Sequence, residues 1–392
     1  MSLSSATVSA STPTAAASGE PDQVDAPGTP VPLFTPFSTR GVTIRNRVWV
    51  APMCQYSAFD RDGVPTEWHL VHLGSFATGG AGLVMTEATA VSPEGRISPE
   101  DLGIWNDEQA AEFAKITRFV HGQGATTGIQ LAHAGRKAST FSPFADGRGS
   151  VPLEDGGWPT VGPSEVAFSG YATPSALDLA GIDKVVDDFV SAARRAVAVG
   201  FDVLEIHAAH GYLLHQFLSP LSNTRTDEYG GDLAGRARLL LRVVSAVRAA
   251  VGDAVPLFVR FSATDWAEGG WDETQTAIVS GLARDAGADL FDISTGGNVS
   301  GVTIPLQPGY QVPFADFVKQ NAPLDGGSAV EVSAVGLITT PQQANEIVAS
   351  GRADAVMLGR DLLRDPHFAL RAAHELGADI SYWPAQYVRA RL

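Results

Sequence analysis

Three histidines, two tyrosines and an arginine are concentrated in the segment HAAHGYLLHQFLSPLSNTRTDEYGG at 207–231. This segment directly follows the apolar run FDVLEI at 201–206, so its first polar residues stand where a buried strand would end. Histidine and tyrosine in such a place could bind a metal ion, donate hydrogen bonds to a substrate oxygen, or only satisfy the backbone of a loop. The residues at neighbouring strand ends distinguish these possibilities.

Short apolar runs alternate with longer amphipathic stretches from residue 31 onward. Strands that are apolar on both faces and alternate with helices predict a parallel sheet, and eight such units predict a single-domain (β/α)8 TIM barrel over residues 31–392. A doubly wound sheet, the rival fold, would usually show a G-x-G-x-x-G turn after its first strand, and the segment at 51–63 has none. The predicted strands lie at 47–53, 82–88, 125–131, 201–207, 256–262, 288–294, 329–335 and 353–359, and three of the predicted helices lie at 107–124, 182–200 and 339–352.

The overall composition limits the classes of partner and location. The chain has 392 residues, with 43 acidic and 27 basic side chains and a formal charge of -16, which argues against a sequence-independent grip on nucleic acid or an anionic membrane. No run approaches the roughly 18 apolar residues of a membrane span. The single cysteine, Cys54, excludes an internal disulfide and fits a reducing, cytoplasmic location. Residues 1–30 are rich in Ser, Ala, Thr and Pro and lack a targeting pattern, so we expect a disordered tail there.

The polar residues directly after each apolar run are the candidates for chemistry, because the active site of a TIM barrel lies at the carboxyl ends of its strands. A metal-hydrolase barrel needs three or four convergent ligands and an acid or base for the bound water. His207 and His210 could contribute, but Arg260 would repel a divalent cation, and we expect no metal site. The strand-end residues are Cys54, Tyr56, Glu87, Ala88, Gln130, His133, His207, His210, Tyr212, Arg260, Ser294, Gly296, Gly297, Gly336, Gly359 and Arg360.

The last two barrel units contain an expected anion site. Gly336 ends one predicted strand before a helix that begins near Thr339, and Gly359 ends the other with Arg360 beside it. Backbone N–H groups at a helix N-terminus together with an arginine bind anions, and the loops after strands seven and eight of such barrels commonly hold phosphate. Glycines that serve only tight turns are the alternative that these residues leave open.

The chain contains, in this order, the segments APMCQY, TEATAVSPEGR, GIQLAHAGRKA, EIHAAHGYLLHQFLSPLSNTRTDEYGG, LFVRFS, PGYQ and LGRDLLRDP. Together they resemble the Old Yellow Enzyme family of FMN-dependent ene-reductases, and most closely its bacterial thermophilic-like subgroup. The resemblance runs from about Leu33 to Arg389. It implies a non-covalently bound FMN, with its phosphate in the loops after the last two strands, and NADPH or NADH as the electron donor.

The resemblance also assigns residues to the cofactor. Arg260 would stabilise the negative charge that reduced FMN gathers around N1 and C2=O, and Gln130 would bond to the pyrimidine edge. Cys54 would lie near the flavin N5 and O4 and tune its potential. Simple strand-end packing is the alternative for Ala51 and Ala88. The full set is Ala51, Pro52, Met53, Cys54, Ala88, Gln130, Arg260, Ser294, Gly336, Gly359 and Arg360.

The same resemblance implies a set of catalytic and substrate-binding residues. His207 and His210 would donate hydrogen bonds to the oxygen of a substrate carbonyl or nitro group, and Tyr56 would reach the substrate. Tyr212, a phenol with an ordinary pKa near 10, would deliver a proton to the carbon beside that group. We expect a supporting role in the core or loop for His215. Lys137 is either close to the site or a solvated surface lysine.

Two further segments extend the predicted site. The C-terminal PAQYVRARL resembles the segment whose arginine reaches into a neighbouring subunit's active site, which assigns that role to Arg389 and predicts a homodimer or a dimer-based oligomer. The ending ARL departs from the family pattern, which puts the docking of this tail in doubt. Residues 140–178 are too rich in glycine and proline for a helix and too long for a plain connection, so we expect a lid or hairpin that shapes substrate choice.

These observations predict an FMN-dependent NAD(P)H oxidoreductase of activated alkenes, such as α,β-unsaturated carbonyls, nitroalkenes and maleimides. The nicotinamide and the alkene would use one place in turn, with hydride passing from flavin N5 to Cβ and a proton to Cα. The alternatives are another NADPH dehydrogenase or nitro-ester reductase role, a flavin barrel without turnover, and a metal-dependent hydrolase barrel. A dienoyl-thioester reductase is disfavoured, because one cysteine cannot ligate the iron–sulfur cluster of such relatives.

Overall fold

The computed structural model describes residues 30–324 and 329–391. Eight parallel strands of this part close into a barrel, in the order β3, β4, β5, β8, β9, β10, β11, β12 and back to β3. Each of the eight predicted strands overlaps one of them, so the predicted TIM barrel is confirmed. The strands are β1 (Phe37–Thr39), β2 (Val42–Ile44), β3 (Val48–Val50), β4 (Leu83–Ala90), β5 (Thr126–Ala132), β6 (Val161–Gly162), β7 (Ser175–Ala176), β8 (Val203–Ala208), β9 (Leu257–Ser262), β10 (Leu290–Ser294), β11 (Glu331–Ala334) and β12 (Ala355–Leu358).

Helices surround the barrel and follow its strands. They are α1 (Glu67–Thr78), α2 (Asp107–Gly122), α3 (Leu179–Ala198), α4 (Leu213–Leu218), α5 (Leu233–Val251), α6 (Glu273–Asp285), α7 (Val312–Asn321), α8 (Pro341–Ala349), α9 (Arg360–Arg364) and α10 (Phe368–Glu375). Short 3-10 turns occupy Pro32–Phe34, Pro93–Gly95, Gly135–Lys137, Leu153–Asp155 and Ala385–Ala390. Among the described residues, no helix is long and apolar enough to cross a lipid bilayer.

The predicted glycine caps are present on the three helices identified from the sequence. Gly124, Gly200 and Gly351 follow α2, α3 and α8 with φ values of 69°, 94° and 75°. This left-handed conformation costs glycine little, because it has no Cβ, and it lets the chain turn back toward the next strand. The helices end where the sequence predicts, to within three residues.

The barrel interior changes from apolar to polar along its strands. Near the strand starts, Trp49 stacks on Phe258 at 5.9 Å, and Phe37 from the β1–β2 hairpin meets the same indole edge-on at 5.3 Å. The hairpin therefore packs against the apolar side chains at the N-terminal end of the barrel. Farther along the strands, Glu205 and Asp292 are fully buried. This polar layer lies beneath the predicted site.

The predicted lid has little regular structure apart from one small sheet. Its short strands β6 and β7 pair in parallel, so the chain makes a wide loop between them and does not form a hairpin there. An antiparallel bridge between Thr140 and Ser150 closes the first part of the segment. The predicted disordered tail falls on residues 1–30, of which all but Pro30 lie outside the described residues.

Candidate active site

His207 and His210 come together at the carboxyl end of β8. Their ring centroids are 5.2 Å apart and nearly perpendicular, and His210 Nδ1 lies 3.4 Å from His207 Nε2. The backbone of His210 has a φ of 57°, which is unusual for a residue with a side chain. Ser262 helps to hold this conformation, since its Oγ accepts a hydrogen bond from the His210 N–H at 2.9 Å. The loop thus fixes both imidazoles at one point.

The hydrogen bonds around the pair determine which ring nitrogens carry protons. The backbone N–H of Ala209 donates to His207 Nδ1 at 3.2 Å, so the His207 proton must be on Nε2. His210 Nε2 lies 2.8 Å from Ser294 Oγ. Burial, reinforced by the charge of Arg260, lowers the pKa of both histidines well below the ordinary value. Both rings are therefore neutral at pH 7, and each can donate one hydrogen bond.

Tyr212 stands beside the histidine pair. Its ring meets His207 edge-on at a centroid distance of 5.0 Å. Burial raises the pKa of the Tyr212 phenol well above its usual value. The phenol keeps its proton throughout the physiological range, as a proton donor must.

Cys54 and Tyr56 pack with Tyr212 against one apolar surface, which we call the apolar wall. The wall consists of Ala88, Ile97, Ala132, Ala134 and Ala138. Burial raises the pKa of the Cys54 thiol well above its usual value, and the carboxyls of Asp101 and Glu87 act in the same direction. The thiol is therefore protonated and is not a reactive thiolate.

Arg260, predicted to face the flavin, is paired from behind. Its Nε lies 2.7 Å from a carboxyl oxygen of buried Asp292. Gln130 Nε2 donates to Glu205 Oε1 at 2.7 Å. Burial and the nearby Asp292 raise the pKa of Glu205 to about 8, so Glu205 is mostly protonated at pH 7. Two acids thus support the predicted flavin ligands one layer below the strand ends.

A cavity of about 380 Å³ opens beside His210 at the ends of the last three barrel strands. Arg360 lines it, and the Arg360 side chain makes no hydrogen bond or ion pair with any other described residue. Gly336 has a φ of 112°, and a Cβ there would lie 2.8 Å from Gln311 Nε2. An unpaired guanidinium beside backbone that has room only for a glycine fits the phosphate end of FMN. Four predicted cofactor residues line this cavity, namely Ser294, Gly336, Gly359 and Arg360.

The other predicted cofactor residues lie at adjacent strand ends. Ala51, Pro52, Met53 and Cys54 follow β3 directly. Ala88 pairs with Gln130 across β4 and β5, and His207 pairs with Arg260 across β8 and β9. The barrel register therefore brings together residues that are far apart in sequence.

Lys137 belongs to the site and is not a solvated surface residue. Its Nζ donates to the carbonyl oxygens of His210 and Gly297, both at 2.9 Å, and lies 5.2 Å from the centre of the Tyr212 ring. Burial lowers the pKa of Lys137 to about 8. It ties the loops after β5, β8 and β10 together.

His215 has the supporting role expected from the sequence. It is fully buried, its Nδ1 accepts from the Gly211 N–H at 2.9 Å, and its Nε2 lies 3.1 Å from Asp265 Oδ1. Although burial opposes ionisation, the charge of His215 and hydrogen bonds from His215 and Ser219 lower the pKa of Asp265 to about 2. This pair holds the start of α4 in place beneath Tyr212.

Arg389 does not line the cavity of its own chain. It is exposed on the last 3-10 turn. The preceding segment is anchored at the start of β3, where Asn46 Nδ2 donates to the Tyr382 hydroxyl at 2.8 Å and the Arg45 guanidinium lies 4.4 Å from the centre of the Tyr382 ring. This anchor lies at the end of the barrel opposite the site.

Several residues of the site were not assigned from the sequence. Trp158 packs against the apolar wall from the lid, where its Nε1 donates to the Glu94 carbonyl at 2.9 Å and Arg96 stacks on its ring at 4.8 Å. Glu205 and Asp292 had one signal in the sequence: each is a charged residue inside an otherwise apolar run. Cavity-lining residues that were not assigned include Thr295, Tyr310, Gln311, Leu337, Ile338 and Arg364. The segments PGYQ and LGRDLLRDP contained three of them.

The described residues contain no group of three or more His, Cys, Asp or Glu side chains arranged to hold a metal ion. His207 and His210 instead face a serine, a tyrosine and each other. The observed chemistry is that of neutral hydrogen-bond donors around an apolar surface, with a cation beneath it.

Comparison with known proteins agrees with this geometry. The sequence pattern of the NADH:flavin oxidoreductase / NADH oxidase family matches residues 32–379. An NADH:flavin oxidoreductase of Gibberella zeae is 44% identical over 364 residues, covering 89% of this chain and 86% of that protein. The NADPH dehydrogenase of Listeria monocytogenes is 46% identical over 359 residues, covering 91% and 98%.

A solved structure extends the similarity to the fold. The old yellow enzyme homologue of Zymomonas mobilis superposes with a TM-score of 0.70 at 28% sequence identity. The match covers 92% of this chain and 98% of that one. The whole barrel, and not one motif, is therefore shared.

Proposed function

Because the chain belongs to the NADH:flavin oxidoreductase / NADH oxidase family and is an FMN-dependent NAD(P)H oxidoreductase of the Old Yellow Enzyme type, we propose that it reduces activated carbon–carbon double bonds. Its substrates are alkenes conjugated to a carbonyl or nitro group, including enones, nitroalkenes and maleimides. One observation carries the proposal: two neutral histidines and a protonated tyrosine surround a single point.

The histidine pair binds the oxygen of the activating group. His207 Nε2–H is directed at His210 Nδ1, 3.4 Å away, and a substrate oxygen would replace that nitrogen as its acceptor. His210 Nε2–H donates to Ser294 Oγ, which a substrate oxygen would replace as acceptor. Two neutral donors stabilise the negative charge that develops on that oxygen during reduction, and they draw electron density from the double bond.

Tyr212 supplies the proton. Its raised pKa keeps the phenol protonated, and its contact with His207 supports a position from which it would reach the carbon next to the activating group. A positioned general acid contributes about 10²–10⁴-fold to such a step. Cys54 and Tyr56 pack against the same apolar wall as Tyr212, and Tyr56 contacts the substrate there.

The chain holds FMN along one line of strand ends. Arg360 and the backbone at Gly336 and Gly359 bind the phosphate, while Gln130 and Arg260 bind the pyrimidine edge. The remaining contacts come from Ala51, Pro52, Met53, Cys54, Ala88 and Ser294. When bound there, FMN supplies hydride to the alkene carbon farther from the activating group, after accepting hydride from NADPH or NADH. Nicotinamide and alkene occupy the same pocket in turn.

The lid forms the outer part of the substrate pocket. Trp158 adds an aromatic side to the apolar wall, and Phe144 meets the Tyr56 ring edge-on at 6.0 Å while remaining 77% exposed. An exposed phenylalanine beside the substrate tyrosine supports a role for residues 140–178 in selecting substrates by size. The partners we propose are therefore small molecules. The cytoplasm is the proposed location, supported by the single cysteine.

A homodimer completes the proposed site. Arg389 is exposed, and its segment is anchored at the far end of its own barrel. This placement supports a role for Arg389 in the substrate pocket of a second subunit, in a dimer or a dimer-based oligomer.

The proposed function is tested by an anaerobic visible spectrum of the purified protein, recorded before and after NADPH and then after 2-cyclohexenone. We expect flavin bands that bleach with NADPH and return with the enone. Bleaching without return would leave an NADPH dehydrogenase of other substrates, with a nitro-ester as the next oxidant to test. Flavin bands that NADPH does not bleach would indicate a flavin-binding barrel without turnover. A protein that stays colourless after reconstitution with FMN would contradict the assignment.

A further inference from the structure

Glu87 is a buried acid for which the proposed reaction has no use. It is 4% exposed and lies on β4, where the pairing with β5 shifts register between Met85 and Ala88. Such a bulge turns a side chain away from its regular direction. Glu87 Oε2 accepts a hydrogen bond from the backbone N–H of Gln55 at 2.8 Å, and Oε1 lies 3.3 Å from His69 Nε2. Both carboxyl oxygens thus face N–H donors.

His69 connects Glu87 to the first turn of α1. It is 1% exposed, and the backbone N–H of Thr66 donates to its Nδ1 at 2.9 Å. Since Nδ1 is an acceptor, the ring proton is on Nε2, the nitrogen that lies 3.3 Å from Glu87 Oε1. His69 occupies the third position of the helix, where a capping box usually has glutamate or glutamine. The two ring nitrogens of His69 face different partners, Nδ1 the helix cap and Nε2 the Glu87 carboxyl.

On its other side, Glu87 contacts a strained segment of the site. Gln55, whose N–H is bound by Glu87, lies between Cys54 and Tyr56, and Tyr56 has a φ of 52°. A bulky residue in the left-handed region is strained and persists only where its surroundings hold it. After Tyr56, the chain is held by the Ala58 N–H, which donates to the Glu100 carbonyl at 2.9 Å. Before Tyr56, it is held by the bond from the Gln55 N–H to Glu87.

We propose that His69 and Glu87 are positioning residues that hold the Cys54–Tyr56 turn, with Cys54 toward the flavin and Tyr56 toward the substrate. This inference rests on the proposed roles of Cys54 and Tyr56. Glu87 adds an electrostatic effect, because its carboxyl helps to keep the Cys54 thiol protonated. Helix α1 thus contributes to the site without touching cofactor or substrate.

The test compares His69→Ala and His69→Gln in the FMN-loaded protein. Alanine removes both contacts of His69, whereas glutamine can accept from the Thr66 N–H through Oε1 and donate toward Glu87 through Nε2, as Gln109 does in α2 with the Asn106 N–H and the Asp62 carbonyl. We expect His69→Ala to lower the thermal midpoint, shift the flavin midpoint potential and lose roughly tenfold in kcat/KM for 2-cyclohexenone, mainly through KM, and we expect His69→Gln to restore all three properties. Glu87→Gln, which removes one acceptor and the charge, should act in the same direction and raise the potential.

A matched control is available in the next helix. Gln109 is the corresponding capping residue of α2, and its bonds to the Asn106 N–H and the Asp62 carbonyl do not involve the 54–56 turn. Gln109→Ala should lower the thermal midpoint and leave the potential and KM unchanged. If His69→Ala and Glu87→Gln leave the potential and the KM unchanged, as this control does, the positioning role is wrong.

Two further variants separate this inference from the proposed function. Cys54→Ala should shift the flavin potential, and Tyr56→Phe should raise the KM for 2-cyclohexenone. If both do so while His69→Ala and Glu87→Gln change neither property, only the positioning role is overturned. If Cys54→Ala and Tyr56→Phe are themselves without effect, the site assignment fails and the positioning role fails with it.

Discussion

Arg260 Nε lies 2.7 Å from a carboxyl oxygen of Asp292, and both side chains are buried inside the barrel. Glu205 is buried in the same layer. Burial together with the charge of Asp292 raises the pKa of Glu205 to about 8. One cation is therefore balanced by one carboxylate at neutral pH, and the second acid is mostly neutral.

This charge balance predicts different effects on the flavin potential for two similar substitutions. Asp292→Asn removes the countercharge of Arg260 and should raise the midpoint potential of the bound flavin, by about 30 mV for every 1.4 kcal/mol of a two-electron couple. Glu205→Gln replaces a neutral acid with a neutral amide and should leave the potential at pH 7 nearly unchanged. Dye-equilibrated potentiometry measures both. A rise in Glu205→Gln as large as that in Asp292→Asn would show that Glu205 is ionised.

Tyr212→Phe should separate the two half-reactions. The substitution removes only the phenolic oxygen, so flavin reduction by NADPH should remain largely intact while alkene reduction slows by about 10²–10⁴-fold. Anaerobic stopped-flow absorbance records each step on its own. Equal slowing of both steps would contradict the role of Tyr212 as the proton donor.

Arg360→Ala should weaken FMN binding through the phosphate alone. A lost charge-assisted hydrogen bond costs about 1.5–3 kcal/mol, which corresponds to roughly 10–100-fold in Kd. Riboflavin lacks the phosphate, so its affinity for the apoprotein should not change, and flavin fluorescence titration gives both constants. Arg364→Ala is the matched control, because Arg364 also lines the cavity but is already paired with Asp361 at 2.6 Å. Equal losses for FMN and riboflavin would place Arg360 away from the phosphate.

The His215–Asp265 pair should make stability depend on acid pH. The pKa of Asp265 is lowered to about 2 in the folded protein, so its stabilising contribution is present above the unfolded pKa near 4 and is lost as pH falls toward 2. The unfolding free energy lost in Asp265→Asn should therefore be larger at pH 6 than at pH 3, by about 1 kcal/mol. Urea unfolding of the FMN-loaded protein measures this. Asp253→Asn, at a 93% exposed carboxylate, should show no such pH dependence, and a pH-independent loss in Asp265→Asn would contradict the assigned pair.

Local sequence was sufficient to predict the fold. The eight apolar runs and the capping glycines predicted every barrel strand and the ends of three helices, because strand burial and helix termination depend on residues near one another in the chain. The strand-end rule also placed His207, Arg260, Gly336 and Gly359 at one end of the barrel, since parallel strands share the direction of their carboxyl ends. Family resemblance, and not the pattern, supplied the flavin and the role of each residue.

Only the tertiary structure determined which side chains meet. Asp292 pairs with Arg260 from 32 positions away in the chain, Lys137 bonds to the carbonyl of His210, and Glu87 reaches the Gln55 amide across a bulge. None of these contacts has a local sequence signal, because each depends on barrel register and on loops that cross between strands. The ionisation states were also decided by the tertiary structure. Burial and neighbouring charges make Glu205 mostly neutral and the histidine pair uncharged, and neither burial nor spatial neighbours can be read from the sequence.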